Sequence, residues 1–518
     1  IPFYHHEGWR LMEKLRNAAE EAAKGSAFIM SGNFISAAIL ALNSMVLARL
    51  LGPDKYGLYS LSISLAPLLI GLSDIGITSF LTRTMALMRN DERAGEHASF
   101  ALRIAILMGI LLSATGIMIS GLYSLYILNR PELSIYVRTA VLSVPFAITA
   151  NSAASILLGL GMANKSSKIP VAQSISKFLT STSLVMLGFS VLGAVLGHLT
   201  GYIAAGIFGF ILIRKYIRRR ISGSLSSLLG YGLPLYFSSI IAILTNQYII
   251  MLLSSFSNFE IGNYYTALSL SSVLGIVASS IGSVMLPTFS SMLDEVERML
   301  KLSVRYSSLL MVPLAVSVII FSPDITRIFF GRRYTLTPLY LSLLSANYLL
   351  VGVGSISIGP FFSSLGKTGM NLLLTASNAL FLLIFSLFLI RFGVPGLIAS
   401  QIASSFSSLL LGLLILKKFN ASIELRESAK IYTTAFLPAI PILLAGSFLE
   451  TPVRILLLPI YLLLYISIAP FISLKQRDLE FLGIFSKMRF IGRAADLILS
   501  YEKRIAELRS RGIKGNSG

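Results

Sequence analysis

Inside the apolar stretches of this chain few side chains can do chemistry, and their positions are informative. Asp74 is the one acidic residue within any of the first twelve apolar spans, set in Ser73-Asp74-Ile75-Gly76 with Arg83 farther along the same segment. A carboxylate there can cap a helix break, pair with Arg83, or serve a cavity by taking a proton or responding to a substrate. Ionisable groups in lipid are costly and seldom idle. Arg49, at the end of the first span, and Lys177, inside the fifth, are the cations placed to neutralise a phosphate, unless they snorkel to the interface. Asn33 and Asn43 lie in the first span, and Asn246 with Gln247 in the seventh. Such amides suit sugar hydroxyls, and helix–helix hydrogen bonds account for them equally well. Arg327, Arg332 and Arg333 share the segment Ser322–Thr337 with Asp324, where Asp–Arg pairing can brace a turn or a basic rim can attract an anion.

Other chemistries lack their residues. There is no cysteine, hence no disulfide framework, thiolate metal site or thiol nucleophile. His5, His6, His97 and His198 form no metal-spaced set with carboxylates, and no catalytic constellation is present. Leu365-Gly366-Lys367-Thr368 mimics the end of a phosphate loop, which needs a glycine where Phe361 stands and a strand before it. No cofactor or metal is expected.

The elements that must hold these residues are membrane helices. Hydrophobic residues make up 55% of the 518 positions and charged residues 13%, against roughly 25% charged in a soluble domain. Apolar runs of bilayer length, about 20 residues, recur from Phe28 to Leu474. The formal charge of +20 is distributed by topology rather than gathered for nucleic acid. With the N-terminus inside, cytoplasmic segments and the span ends adjoining them collect 34 of the 43 Lys and Arg residues. That bias orients membrane proteins, so both termini are expected on the cytoplasmic side of the cell membrane. Residues 1–25 lack the apolar core of a signal peptide, and Met12 is a candidate start.

The chain also repeats itself. Tyr56-Gly57-Leu58-Tyr59 is echoed 205 positions later by Ile261-Gly262-Asn263-Tyr264, Gly161 by Gly366, and Gly188 by Gly393. Each copy holds an even number of spans, so both enter the bilayer from one side, as in parallel-repeat transporters. The expectation is an all-α polytopic membrane protein of about fourteen transmembrane helices. It divides into a cytoplasmic N-terminal segment (1–25), a first six-helix lobe (26–213), a basic linker (214–230) and a second lobe (231–416). Two extra helices (431–474), read as lipid-facing, and a basic amphipathic tail (475–518) follow.

At Ala48-Arg49-Leu50-Leu51-Gly52-Pro53-Asp54-Lys55-Tyr56-Gly57-Leu58-Tyr59 the sequence resembles the polysaccharide-export flippases of the multidrug/oligosaccharidyl-lipid/polysaccharide (MOP) exporter superfamily. Asp74-Ile75-Gly76, Arg83 and Phe329-Phe330-Gly331-Arg332-Arg333-Tyr334 fit the same pattern. The resemblance implies two lobes around a cavity that opens alternately to each side. It implies movement of a polyprenyl- or dolichyl-linked oligosaccharide to the outer leaflet, among membrane lipids and beside glycosyltransferases or a polymerase of the same pathway. A cation-coupled multidrug exporter of the same superfamily is the alternative. A membrane enzyme is disfavoured, because the longest outer connection has about sixteen residues. The first span carries no charge over 26–48, which argues against a peptidoglycan-precursor flippase.

Overall fold

The computed structural model describes residues 3–88, 91, 93–218, 225–291, 295–446, 448–449 and 451–474. Arg219, Arg220, the centre of the expected linker and the expected amphipathic tail lie outside them. The described residues form helices joined by turns, with no strand among them. Hydrocarbon offers backbone groups no partner, so an apolar chain satisfies its N–H and C=O groups within helices.

In chain order the helices are α1 Phe3–Ser62, α2 Leu65–Asp74, α3 Ile77–Leu87, α4 Arg93–Leu122, α5 Ser134–Val141, α6 Val144–Gly159, α7 Lys168–Leu184 and α8 Ser190–Ile213. They continue with α9 Leu225–Leu253, α10 Asn258–Ser291, α11 Val296–Ile320, α12 Thr337–Ala346, α13 Thr368–Leu389, α14 Gly393–Lys418, α15 Leu425–Phe436 and α16 Leu457–Ile472. Among the described residues eight helical runs are long and apolar enough to cross a membrane, or nine if one bent pair counts as a span. Three of these runs, Phe28–Asp74, Ala163–Tyr216 and Thr368–Lys418, have 47, 54 and 51 residues. At 1.5 Å per residue each is about 70–80 Å long, against a hydrocarbon core of about 30 Å. Each turns at a glycine of positive φ: Gly52, Gly188 or Gly393.

The 205-residue offset reappears in the backbone. Gly161 and Gly366 have φ of 74° and 69°, and Gly188 and Gly393 have 93° and 75°. Side chains with a Cβ rarely adopt this region, so the repeated glycines serve the same turns in both copies.

The chain divides into two compact units. Unit 1 holds residues 1–269 with 333–336 and 386–397, and unit 2 holds 270–332, 337–385 and 398–518. Small residues pave the helix contacts of unit 1, with Ala94, Ala98, Ala101, Ala105, Ala150 and Ala153 all buried in one core. Large apolar side chains point outward instead, as Met118, Leu187 and Leu387 show. That pattern suits helices that pack closely and turn their bulk to lipid.

In unit 2, α15 and α16 pack against α11. One face of this pair is held by Tyr461 Oη donating to the Ala435 carbonyl at 3.0 Å and Tyr465 Oη to the Leu309 carbonyl at 3.0 Å. Tyr432 Oη donates to the Leu349 carbonyl. The other face presents Leu437, Ile440, Leu444 and Leu463 outward. The last two helices are therefore firmly attached on one face and exposed and apolar on the other.

Candidate functional site

The two copies of the repeated motif meet at one end of unit 1. A Cβ added at Gly57 would stand 2.3 Å from the Asn258 carbonyl oxygen and 2.9 Å from the Gly262 nitrogen. A Cβ added at Gly262 would stand 2.0 Å from the Pro53 carbonyl oxygen. Gly57 and Gly262 are equivalents at the 205 offset, and so are Pro53 and Asn258. The contact is therefore reciprocal: each copy's glycine receives the other copy's turn, as at a two-fold interface. No side chain larger than hydrogen fits at either glycine without displacing backbone.

Around this crossing the closure is made of buried tyrosines and amides and one bridging arginine, with Asp54 and Arg333 within electrostatic reach of Tyr334. Tyr56, Tyr59, Tyr264 and Tyr334 are buried there. Tyr334 Oη donates to the Ala48 carbonyl at 2.7 Å, and the Leu336 N–H donates to Asn263 Oδ1 at 3.0 Å. Burial pushes the Tyr334 phenol above its ordinary range, so it stays a donor. Arg130 sits in the turn after α4 and spends its guanidinium on four acceptors. Nε donates to Asn258 Oδ1 at 2.6 Å, Nη1 to the Leu128 and Ser254 carbonyls at 2.8 and 2.7 Å, and Nη2 to the Phe256 carbonyl at 2.7 Å. The carbonyls at the end of α9 lack intrahelical partners, and a cation at a helix C-terminus is favourable. Burial lowers the Arg130 pKa, and neighbouring Glu132 opposes that.

The structure separates the residues singled out by sequence. Asn43 is buried, and its Oδ1 accepts from Ser181 Oγ of α7 at 2.7 Å. Gln247 Nε2 donates to Tyr123 Oη at 2.6 Å, which also bonds Ser64 Oγ at 2.8 Å. Both amides thus tie helices together, whereas Asn33 and Asn246 are exposed. Asp74 lies at the break between α2 and α3, where Ile75 and Gly76 are left-handed. Its carboxylate accepts from the Thr78 N–H at 3.0 Å and Thr78 Oγ1 at 2.8 Å, covering the start of α3. Tyr236 Oη of α9 donates to the Leu72 carbonyl at 2.7 Å on the other side of that break.

Arg49 is exposed one turn before Gly52, and Arg83 is exposed in α3. More than twenty helical positions separate Arg49 from Asp74, about 30 Å along the chain direction, so they form no single site. Arg327, Arg332 and Arg333 are exposed, and Arg333 Nη1 lies 3.9 Å from the place of a Cβ on Gly52. Lys177 packs against Gly201, whose added Cβ would lie 2.9 Å from the Lys177 Cβ. Asp324 is buried and pairs at 3.2 Å with Arg454, from the connection between α15 and α16. Sequence reasoning passed over Arg130, Asn258 and Asn263. The available signal was the 205 offset itself, which pairs Asn258 with Pro53 and flanks Gly262 with Asn263. Among the described residues no cluster of His, Asp or Glu could hold a metal ion.

Residues 46–337, more than half of the chain, match the family model described as "Polysaccharide biosynthesis protein". A relative from Haloferax volcanii, described as a probable low-salt glycan biosynthesis flippase Agl15, is 21% identical over 73% of this chain and 79% of its own. The solved structure of the lipid II flippase MurJ in an inward closed conformation superposes with a TM-score of 0.73 at 16% identity, covering 85% of this chain and 98% of that one. An inward-facing multidrug resistance MATE family transporter of the MOP superfamily follows at TM-score 0.58 and 17% identity, over 75% and 94% of the two chains. At such identities the structures establish the fold, and the family match establishes membership. This multi-pass membrane chain belongs to the polysaccharide biosynthesis protein family and has the fold of the MOP exporters.

Proposed function

We propose that the protein is a flippase that carries a polyprenyl- or dolichyl-(pyro)phosphate-linked oligosaccharide from the cytoplasmic to the outer leaflet by alternating access. The reciprocal Gly57–Gly262 crossing carries the reading. A contact built twice from one motif, with backbone against backbone, is a closure that parts as a unit. Its surroundings are mostly tyrosine hydroxyls and amides, which cost little to separate into water or lipid headgroups. The family and the flippases among its relatives support the same cargo class.

In this reading the chain lies in the cell membrane with both termini cytoplasmic, fourteen spans, two six-helix lobes (26–213 and 231–416), the 214–230 linker and two further helices (431–474). The glycine crossing then closes the outer side, because the basic connections between α3 and α4, α6 and α7, and after α8 fall at the opposite end of unit 1. Lys and Arg are retained on the cytoplasmic face. Arg83 is the cation assigned to the diphosphate on the inner side and Arg49 on the outer side, Asn33 and Asn246 are assigned to sugar hydroxyls, and Arg327, Arg332 and Arg333 to an outer rim. The prenyl chain stays in lipid throughout. The membrane potential acts on the moving charge with about 2.3 kcal/mol per charge per 100 mV.

The test uses a polyprenyl-diphosphate oligosaccharide reconstituted with the protein in vesicles, with sugar exposure read by a lectin. Because the chain has no cysteine, an Ala48→Cys/Tyr334→Cys pair, placed where Tyr334 of the second lobe meets Ala48 of the first, reports on closure alone. Bridging it with a short reducible bis-thiol reagent is expected to stop sugar translocation and reduction to restore it. Unchanged translocation in the crosslinked protein would sink the proposal, as would dye extrusion without any exchange of the lipid-linked sugar.

A further inference from the structure

Lys177 of α7 and His198 of α8 stand side by side in the interior of unit 1. Lys177 lies within electrostatic reach of His198 and of Tyr202. His198 is 4% exposed, and neither of its ring nitrogens has a hydrogen-bond partner among the described residues. Its ring meets Tyr202 edge-on, with centroids 5.1 Å apart and planes at 71°. Gly201 brings the two helices together: a Cβ there would stand 2.9 Å from Lys177 Cβ and 3.0 Å from the Gln173 carbonyl oxygen. His198, Gly201 and Tyr202 share one face of α8, and that face is turned to Lys177.

This arrangement is expensive for a purely structural role. A buried imidazole normally fixes its tautomer through a hydrogen bond at one nitrogen, and His198 leaves both free. A buried ammonium normally finds a carboxylate, and no acidic side chain pairs with Lys177 among the described residues. The neighbouring helices offer none. α1 over 26–48 and α6 carry no charged residue. α5 carries Tyr136 and Arg138, whose Nε donates to Ser120 Oγ at 2.9 Å. Beyond Lys177, α7 contributes only Lys168 at its far end. Two like charges this close in a poorly solvated interior cannot both persist, so the nitrogens titrate as one coupled system.

We infer that Lys177 and His198 form a one-proton binding site inside the first helical bundle, with a proton as its ligand. The pair gains an N–H bond when a proton arrives and loses it when the proton leaves, so its net charge changes by one. Lys177, being half-buried, is the point of entry, and His198 is the enclosed partner. What this uptake drives rests on the transport reading; the site itself does not.

The test is a pH step on the full chain in phosphatidylcholine vesicles adsorbed to a supported membrane, with no glycan present. A step from about pH 10.5 to about pH 6.5 spans the interval between an ordinary ammonium and an ordinary imidazole, in which one proton shared by the two is bound. The wild type is expected to give a transient capacitive current. Lys177→Met and His198→Phe are each expected to reduce it to the level of protein-free vesicles, while His97→Gln leaves it unchanged. Lys177→Gln and His198→Asn, closer in shape, are expected to lose it too and serve where the first pair does not stay monodisperse. A wild type without current, or a current that survives loss of either residue, overturns the site. Since the readout contains no lipid-linked sugar, failure of sugar translocation with an intact current would sink the transport reading alone.

Discussion

Two regions of the molecule join helices that are far apart in sequence, and they do so with different chemistry. At the glycine crossing of unit 1, contact is made by backbone, tyrosines and amides, with Arg130 donating only to neutral acceptors. In unit 2 the last helical hairpin is held by buried ion pairs in addition to its tyrosine hydroxyls. Arg305, 4% exposed, meets Glu427 at 2.9 Å and donates to the Ser473 carbonyl at 2.5 Å, while Arg454 pairs with Asp324. A neutral hydrogen bond contributes about 0.5–1.5 kcal/mol net. Removing one partner of a buried ion pair costs about 3–5 kcal/mol, because a charge is left unmatched. The first chemistry suits surfaces that part and rejoin, and the second suits surfaces that stay together.

The largest effect is expected from closing that comparison sterically. Gly262→Ala places a Cβ against the Pro53 carbonyl at 2.0 Å, with backbone on the other side that cannot rotate away. Sugar translocation should fall to background while each helix remains folded. Crosslinking of the Ala48→Cys/Tyr334→Cys pair in the same background should drop with it. Normal crosslinking in the alanine variant would show that the crossing tolerates more space than its geometry allows.

Next comes the ionic anchor. Glu427→Ala strands Arg305 in a buried position and is expected to cost about 3 kcal/mol, read as a lowered melting temperature of purified protein. Glu427 also meets Lys430 at 2.9 Å, so Lys430→Met should cost far less, the lysine being more exposed. Equal losses would mean that burial of Arg305 is not what makes the anchor strong.

Arg130→Met tests the cation that bridges the two copies at this closure. It removes three donated bonds to the turn after α9 and should cost about 2 kcal/mol of closure. The expected readout is a shift toward the open form, seen as a lower crosslinking yield, with little change in melting temperature. A melting loss as large as that of Glu427→Ala would make Arg130 a structural anchor and erase the distinction between the regions.

Much of this organisation is legible in sequence because it is written in local terms. Apolar runs, left-handed glycines and basic connections need only their neighbours to be recognised, and the 205 offset paired Gly57 with Gly262 before any contact was known. The role of that pair was not legible, since nothing along the chain says that repeats touch rather than merely resemble each other. Arg130 was missed because three of its acceptors lie 124 to 128 positions away. Asn43 and Gln247 show the converse. Their type suited a sugar and a helix–helix hydrogen bond equally, and their partners are Ser181 and Tyr123 on neighbouring helices. Polarity in a span announces that a hydrogen bond is needed, and only packing says with what.

The smallest expected effect falls on Asp74, and it separates capping from chemistry. The carboxylate accepts two bonds from Thr78 at a break where α3 would otherwise begin with bare N–H groups. Loss of such a cap typically costs about 1 kcal/mol. Asp74→Asn keeps an acceptor for the Thr78 N–H and gives up the charge, whereas Asp74→Ala gives up both. If the cap is the whole role, the asparagine variant should melt close to wild type and move sugar at a near-normal rate, with alanine slightly lower in both. If the carboxylate also answers to substrate or proton, both variants should lose translocation equally while their melting temperatures differ. The pattern across the pair, rather than either value, decides whether the one carboxylate of the first twelve spans belongs to the frame of unit 1 or to its cargo.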